Sequence, residues 1–202
     1  MGAPARGRVP FVGLTGGLGA GKSEALRLFA ELGAATLSTD ALVHELLEDG
    51  ELSEMIADRL GLEPAPAGRL DRTAIAERVF TDGDARAWLE EVLWPRVGAR
   101  VEQWRAEVDR AEPSPRAAVV EVPLLFESGM ERAFDSTVAI VADEAVRAER
   151  AGGRGHAAVE SRTGRQLTQI EKAERADFVV RNDGTLEELK QQLSRFLATM
   201  RT

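Results

Sequence analysis

"GLTGGLGAGKSEA", residues 13–25, places five glycines in nine positions, between an apolar run and a helical one. Glycine weakens a regular helix or strand, so a cluster this dense marks a place where side chains would obstruct something. Gly16-Gly17-Leu18-Gly19-Ala20-Gly21-Lys22-Ser23 fits G-x-x-x-x-G-K-[ST] at every fixed position. The spacing has a physical reason. Backbone N–H groups without β-carbons in the way turn inward around a polyphosphate, and the helix starting near Lys22 aims its positive end at the same anion. Lys22 is then expected on the β- and γ-phosphates, and the Ser23 hydroxyl on Mg²⁺.

The flanks supply the context that the motif requires. "VPFVGLT" (9–15) reads as a buried strand, and "KSEALRLFAELG" as a helix with Ala25, Leu28, Phe29 and Leu32 on one face and Gly33 as its C-cap. Further strands are expected at 34–38, at 116–127 (stopping at Pro123), at 135–143 and at 176–182. The last helix, "TLEELKQQLSRFLATM", would turn Leu186, Leu189, Leu193, Phe196 and Leu197 inward. Residues 41 to 110 are mostly helical around the turn-rich "GLEPAPAGRLD", and Pro95 predicts a kink or break within 84–109. Apolar strands alternating with helices predict an α/β fold, the three-layer α/β/α P-loop NTPase architecture on five parallel strands. One domain over 9–202 is expected.

Composition narrows the function. The 202 residues carry a net charge of −8, which argues against a broad nucleic-acid-binding face while permitting a local basic pocket. There is no cysteine, and His44 and His156 are the only histidines, so thiolate chemistry and a histidine-rich metal centre are excluded. No apolar run approaches the roughly 20 residues needed to cross a bilayer. "MGAPAR" lacks the Ser or Thr of a myristoylation signal, and the short apolar segment after it makes a poor secretory leader, so a cytoplasmic location without membrane attachment is expected. Monomer and small homo-oligomer both stay open. Only Lys22, Lys172 and Lys190 are lysines in an arginine-rich chain.

The loop alone does not say which phosphate chemistry follows. A GTPase would need N-K-x-D, which is absent, and Asp58-x-x-Gly61 matches a switch pattern only within an amphipathic helical stretch. A small P-loop kinase suits the length, and it needs an acceptor-holding insertion, an arginine-bearing lid and a carboxylate at the acceptor hydroxyl. Asp40, directly after the second strand, is either that carboxylate or a helix N-cap. Arg147, Arg150 and Arg154, beside Gly152, Gly153 and Gly155, are candidate lid arginines, with a plain solvated helix as the bland alternative.

Together these residues resemble the dephospho-coenzyme A kinase family. The resemblance rests on "GLTGGLGAGKS", "STDALVHELL", "GRLDRTAIAERVF" with "LEEVLWP", "VPLLFE" and "RQLTQIEKAERADFVVRNDGTLEEL", and runs from Val12 to about Leu193. It implies ATP phosphates on Leu18, Gly19, Ala20, Gly21, Lys22 and Ser23 with Thr15 nearby, and Asn182 near the adenine. It also implies dephospho-coenzyme A against Pro123, Leu124, Leu125, Phe126 and Glu127, with Asp40 and His44 on the acceptor side and Asp40 activating the ribose 3′-hydroxyl. Arg150 and Arg154 join Lys22 and Asp40 as the expected catalytic set. The resemblance further implies a core at about 9–40, 116–144 and 171–202, an acceptor-binding helical region at about 41–115 and a lid at about 145–170. Ser38 stands where the family often has the first Asp of D-x-D, Trp94-Pro95 replaces the usual His-Pro, and the lid is short. Two other readings compete: a small P-loop kinase of another nucleotide or nucleoside, and a non-catalytic ATP-binding regulator.

Overall fold

The computed structural model describes residues 8–63, 70–152 and 166–200. Five strands form one parallel sheet: β1 (Phe11–Gly16), β2 (Ala35–Ser38), β3 (Ala118–Glu121), β4 (Ser136–Val141) and β5 (Phe178–Arg181). Their order is β2-β3-β1-β4-β5, with Val12 of β1 opposite Val119 of β3 and Ser136 of β4. Every residue of β1 is buried, as expected of a central strand covered on both faces. Because the strands are parallel, Gly16, Ser38, Glu121, Val141 and Arg181 end along one edge of the sheet.

Two helices cover one face. α1 (Lys22–Glu31) and α8 (Leu186–Thr199) pack Leu28, Phe29, Leu189, Leu193, Phe196 and Leu197 onto Val12, Leu14, Val138, Ile140 and Val180. α1 stops as the glycine pattern predicts: Ala34 N–H bonds the Phe29 carbonyl and Gly33 N–H the Ala30 carbonyl, both at 3.0 Å. One expectation fails here. Leu186 opens α8 and is 55% exposed, because the first residue of the helix lies beyond the edge of the buried stripe.

Side chains alternate along a strand, so Phe11, Gly13 and Thr15 of β1 face the other way. Phe11 stacks on Phe134 with centroids 4.5 Å apart, and the Arg105 guanidinium lies 4.8 Å from the Phe11 ring. Arg105 is 5% exposed, donates to the Val9 carbonyl and pairs with Asp109 at 3.1 Å. Burial lowers its pKa from the ordinary value, and Asp109 opposes the shift. α7 (Gln169–Arg175) packs against β1 and β4.

The chain divides into two compact units. The sheet unit takes the residues up to Ser38 and those from Arg105 onward; the other is Thr39–Trp104. The second unit is helical: α2 (Thr39–Leu46), α3 (Gly50–Leu60), α4 (Arg72–Thr81) and most of α5 (Gly83–Arg110). Leu47, Leu52, Ile56, Leu60, Ile75, Leu89 and Leu93 form its core. Gly61, with φ 66°, is the C-cap of α3, so Asp58-x-x-Gly61 is a helix end.

Pro95 does not divide α5, which is one helix of 28 residues. An internal proline costs about 3 kcal/mol. Leu89, Leu93, Val97 and Val101 are buried on both sides of it, at roughly 1.5–3 kcal/mol each, and outweigh that cost.

Candidate functional site

β1 ends at Gly16 and α1 begins at Lys22, so the glycine loop is their entire connection. Gly19 and Gly21 have φ of 72° and 95°, conformations that L side chains rarely adopt. Space forbids side chains there as well. A β-carbon on Gly19 would lie 2.6 Å from the Arg147 carbonyl oxygen, and one on Gly21 2.2 Å from Asn182 Nδ2. The loop is therefore walled by α6 (Glu144–Gly152), which follows β4, and by the residue that follows β5.

α1 starts on Gly21, with no side chain capping it. Its first-turn donors and its positive end consequently face the loop. Lys22 Nζ arches back over the loop and donates to the Gly16 and Gly17 carbonyls, both at 3.1 Å. Beneath, fully buried Thr15 donates through Oγ1 to the Pro123 carbonyl at 3.3 Å. Ala20 is fully buried, and its carbonyl accepts from Asn182 Nδ2 at 2.8 Å. Arg147 Nε donates to the Leu18 carbonyl at 2.9 Å, and Arg150 Nη1 to the Asn182 carbonyl at 3.0 Å. Arg154 lies outside the described residues. Near Asn182, the Asp143 N–H and then Arg181 hold the Asp183 carboxyl below the usual carboxylate range.

After β3, the turn at Pro123–Glu127 divides its side chains. Leu125 is fully buried and Phe126 nearly so, which makes them core, while Pro123, Leu124 and Glu127 are half-buried. Glu127 Oε1 pairs with Lys172 Nζ at 3.1 Å and accepts the Leu167 N–H at 2.9 Å.

Asp40 and His44 belong to the second unit. Asp40 stands two residues beyond β2, inside the first turn of α2 instead of in front of it. It is exposed and holds no hydrogen bond or ion pair among the described residues, which does not fit a cap. His44, one turn along the same helix, is exposed, with Nε2 4.0 Å from Glu48 Oε1. A groove of about 590 Å³ elsewhere in this unit is lined by Arg96 and Arg100 but also by Asp49 and Glu51. Its charges balance, so it offers an anion no net attraction.

The donor set also fits a Mg²⁺ held largely by its substrate. Ser23 is exposed as the second residue of α1, and no group of three acidic or histidine side chains among the described residues could cage an ion. Mg²⁺ in phosphate sites takes one or two protein oxygens and fills its octahedron with phosphate and water.

Sequence reasoning did not single out Arg105, Lys172 or the brace that Arg147 makes with the loop. Lys172 did leave a signal, as one of three lysines in an arginine-rich chain.

Comparison with known proteins agrees with this geometry. The CoaE dephospho-CoA kinase family model matches residues 10–188. The chain is 39% identical over 187 residues to the dephospho-CoA kinase of Protochlamydia amoebophila, covering 90% of this chain and 92% of that one. It is 40% identical over 187 residues to that of Deinococcus radiodurans, covering 90% and 88%. The crystal structure of TT1252 from Thermus thermophilus aligns with a TM-score of 0.80 at 32% identity, over 97% of this chain and all of that one (100%). A match that runs from β1 into α8 takes in the loop, the helical unit and the turn after β3 alike, and on it the chain belongs to the dephospho-CoA kinase family.

Proposed function

We propose that the chain transfers the γ-phosphoryl group of ATP to the ribose 3′-hydroxyl of dephospho-coenzyme A, giving coenzyme A and ADP, in the cytoplasm. The observation that carries this reading is the uncapped start of α1 behind a glycine loop, in a chain of this family. The triphosphate lies along Leu18–Ser23. Lys22 exchanges the Gly16 and Gly17 carbonyls for phosphate oxygens, at little cost because both sets of partners are at the loop mouth. Ser23 would hold Mg²⁺, which when bound would neutralise phosphate charge.

Asp40 takes the proton of the acceptor hydroxyl as its oxygen bonds to the γ-phosphorus and the bond to the β,γ-bridging oxygen breaks. An exposed carboxylate with no partner among the described residues can do so. Arg150 faces the transferring group. Arg147, whose Nε is held by the Leu18 carbonyl, keeps the loop in shape. Pro123 and Leu124 receive the acceptor, Glu127 fixes the end of their turn through Lys172, and Leu125 and Phe126 support them from the core; Asp40 and His44 are the acceptor residues of the helical unit. Asn182 steadies the loop beside the nucleotide.

The test is a transfer assay with purified chain, ATP and Mg²⁺, offering dephospho-coenzyme A or a panel of nucleosides and nucleoside monophosphates. Coenzyme A should form, with far slower transfer to the panel. Preferred transfer to a nucleotide or nucleoside would make the chain a different small kinase, and ATP binding without turnover on any acceptor would make it a regulator. Lys22→Ala should abolish transfer and remain folded, since Lys22 fills no core.

A further inference from the structure

Lys172 is the one buried lysine among the described residues. It is 3% exposed on α7, and its ammonium makes two links to a single turn. Nζ donates to the Pro123 carbonyl and pairs with Glu127 Oε1 at 3.1 Å. These residues are the two ends of the turn that follows β3. The Pro123 carbonyl also accepts from Thr15 Oγ1, one residue before the glycine loop. Glu127 Oε1 also accepts the Leu167 N–H, and Oε2 is buried with no hydrogen-bond partner among the described residues. Lys172 thus stands where the loop strand, the turn and the segment leading into α7 share hydrogen-bond acceptors.

A buried ammonium is costly unless it is paired and hydrogen-bonded, and a well-packed apolar residue would often be as stable. Ion pairs of this kind fix geometry, and a turn pinned at both ends has its shape set by the pin. We infer that Lys172 is a positioning residue for the acceptor: acting through Pro123 and Glu127, it holds the Pro123–Glu127 turn in register with the glycine loop. This rests on the reading that the turn receives dephospho-coenzyme A. Lys172 touches no substrate, so its loss should appear in acceptor kinetics while ATP binding stays nearly unchanged.

The experiment compares Lys172→Met, Lys172→Arg, Glu127→Gln and the double variant Lys172→Met/Glu127→Gln. The readouts are kcat, KM for dephospho-coenzyme A, ATP affinity by direct titration and thermal midpoint. Lys172→Met should raise acceptor KM about tenfold or more, with ATP affinity within about threefold of wild type, since a misplaced binding group penalises the substrate it serves. Lys172→Arg keeps the charge and should recover part of the loss. The double variant removes the unpaired buried carboxylate that Lys172→Met leaves behind. Its thermal midpoint should rise above that of Lys172→Met while acceptor KM stays high.

If acceptor KM returns to wild type together with the midpoint, Lys172 only neutralises a buried charge and the inference is overturned. It is equally overturned if Lys172→Met melts early but keeps acceptor KM within about twofold. Should Lys172→Met fail to fold, Glu127→Gln decides: raised acceptor KM supports the link, and an unchanged one breaks it. Wild-type chain that makes no coenzyme A would overturn the functional reading as well, whereas an active wild type beside kinetically normal variants overturns only this inference.

Discussion

α1 and α8 both leave the sheet at the ends of parallel strands, and both present the positive end of a helix there. They use it in opposite ways. At α8, Thr185 Oγ1 accepts the Glu188 N–H at 3.3 Å, and the Glu188 carboxylate accepts the Thr185 N–H at 2.8 Å, so chain atoms close the end. α7 repeats the device with Thr168 and Glu171. At α1 the N-cap is Gly21, which has no side chain with which to close the end. Replacing a good cap by glycine costs only a few tenths of a kcal/mol, so an open end is cheap to keep. A closed helix end serves stability; an open one, set in a loop that side chains cannot enter, serves a ligand. Substitutions around α1 should therefore strike turnover, and those at α8 should strike stability.

The largest effect is expected at Arg150, beside the open end. Arg150→Lys keeps the charge but loses the planar fork, and kcat should fall by about 10³ to 10⁵ with acceptor KM little changed. Single-turnover kinetics would measure this directly. A near-normal kcat would shift the role to Arg154, and to Arg147 or Arg162 if Arg154→Lys is near-normal too, and leave the contrast between the helix ends intact. A loss of stability in place of rate would break it.

Asp40→Asn comes next. Asparagine caps a helix about as well as aspartate but takes no proton. Since Asp40 lies inside the first turn of α2 with no side-chain partner among the described residues, the melting temperature should hardly move. Turnover should fall by about 10² to 10⁴. Wild-type kcat with weakened acceptor binding alone would make Asp40 a residue that positions the acceptor and leaves its proton to water.

What could be read in the sequence, and what could not, follows from the range of each interaction. The glycine loop, the end of α1 at Gly33 and the strands that alternate with helices are local patterns, and each was legible. The five-stranded parallel sheet is as expected. Leu186 misled, because local propensity does not know where the covered stripe of α8 begins; of the kink or break expected at Pro95 there is no break, because α5 buries apolar surface on both sides of it. The walls of the loop were illegible for another reason. Arg147 reaches Leu18 across 129 positions, Asn182 reaches Ala20 across 162, and Lys172 reaches Pro123 across 49. A periodicity window sees none of these pairs; only the sheet order brings them together.

At the closed end the expected effects are smaller and of another kind. Thr185→Ala removes the side-chain acceptor for the Glu188 N–H and should cost about 1 kcal/mol of stability. For a chain of this length that corresponds to a melting midpoint lower by about 2–4 °C. Turnover at a temperature where both proteins are folded should be unchanged, because Thr185 faces no part of the proposed site. A fall in kcat beyond about threefold would mean that the two helix ends are not as separate as their caps suggest.

The smallest effect lies in the pH dependence of that same cap. The Thr185 N–H, followed by its hydroxyl, holds the Glu188 carboxyl below the ordinary range of a glutamate. A carboxyl with a lowered folded-state pKa contributes stability that is fully present above its unfolded value, about 4.3, and is lost as pH falls through the folded one. Glu188→Ala should accordingly be destabilising at neutral pH by a nearly constant amount down to about pH 5. Below that the penalty should shrink, as the wild-type carboxylate takes up its proton and the capping box opens. Urea midpoints for both proteins, measured stepwise from neutral to acid pH, would trace the difference. Glu171 in α7 is lowered by the same two groups of Thr168 and should behave alike, which gives an internal replicate. A penalty that stayed level through the acid range would show that Glu188 supports α8 by packing or propensity, and that its charge does not close the helix end.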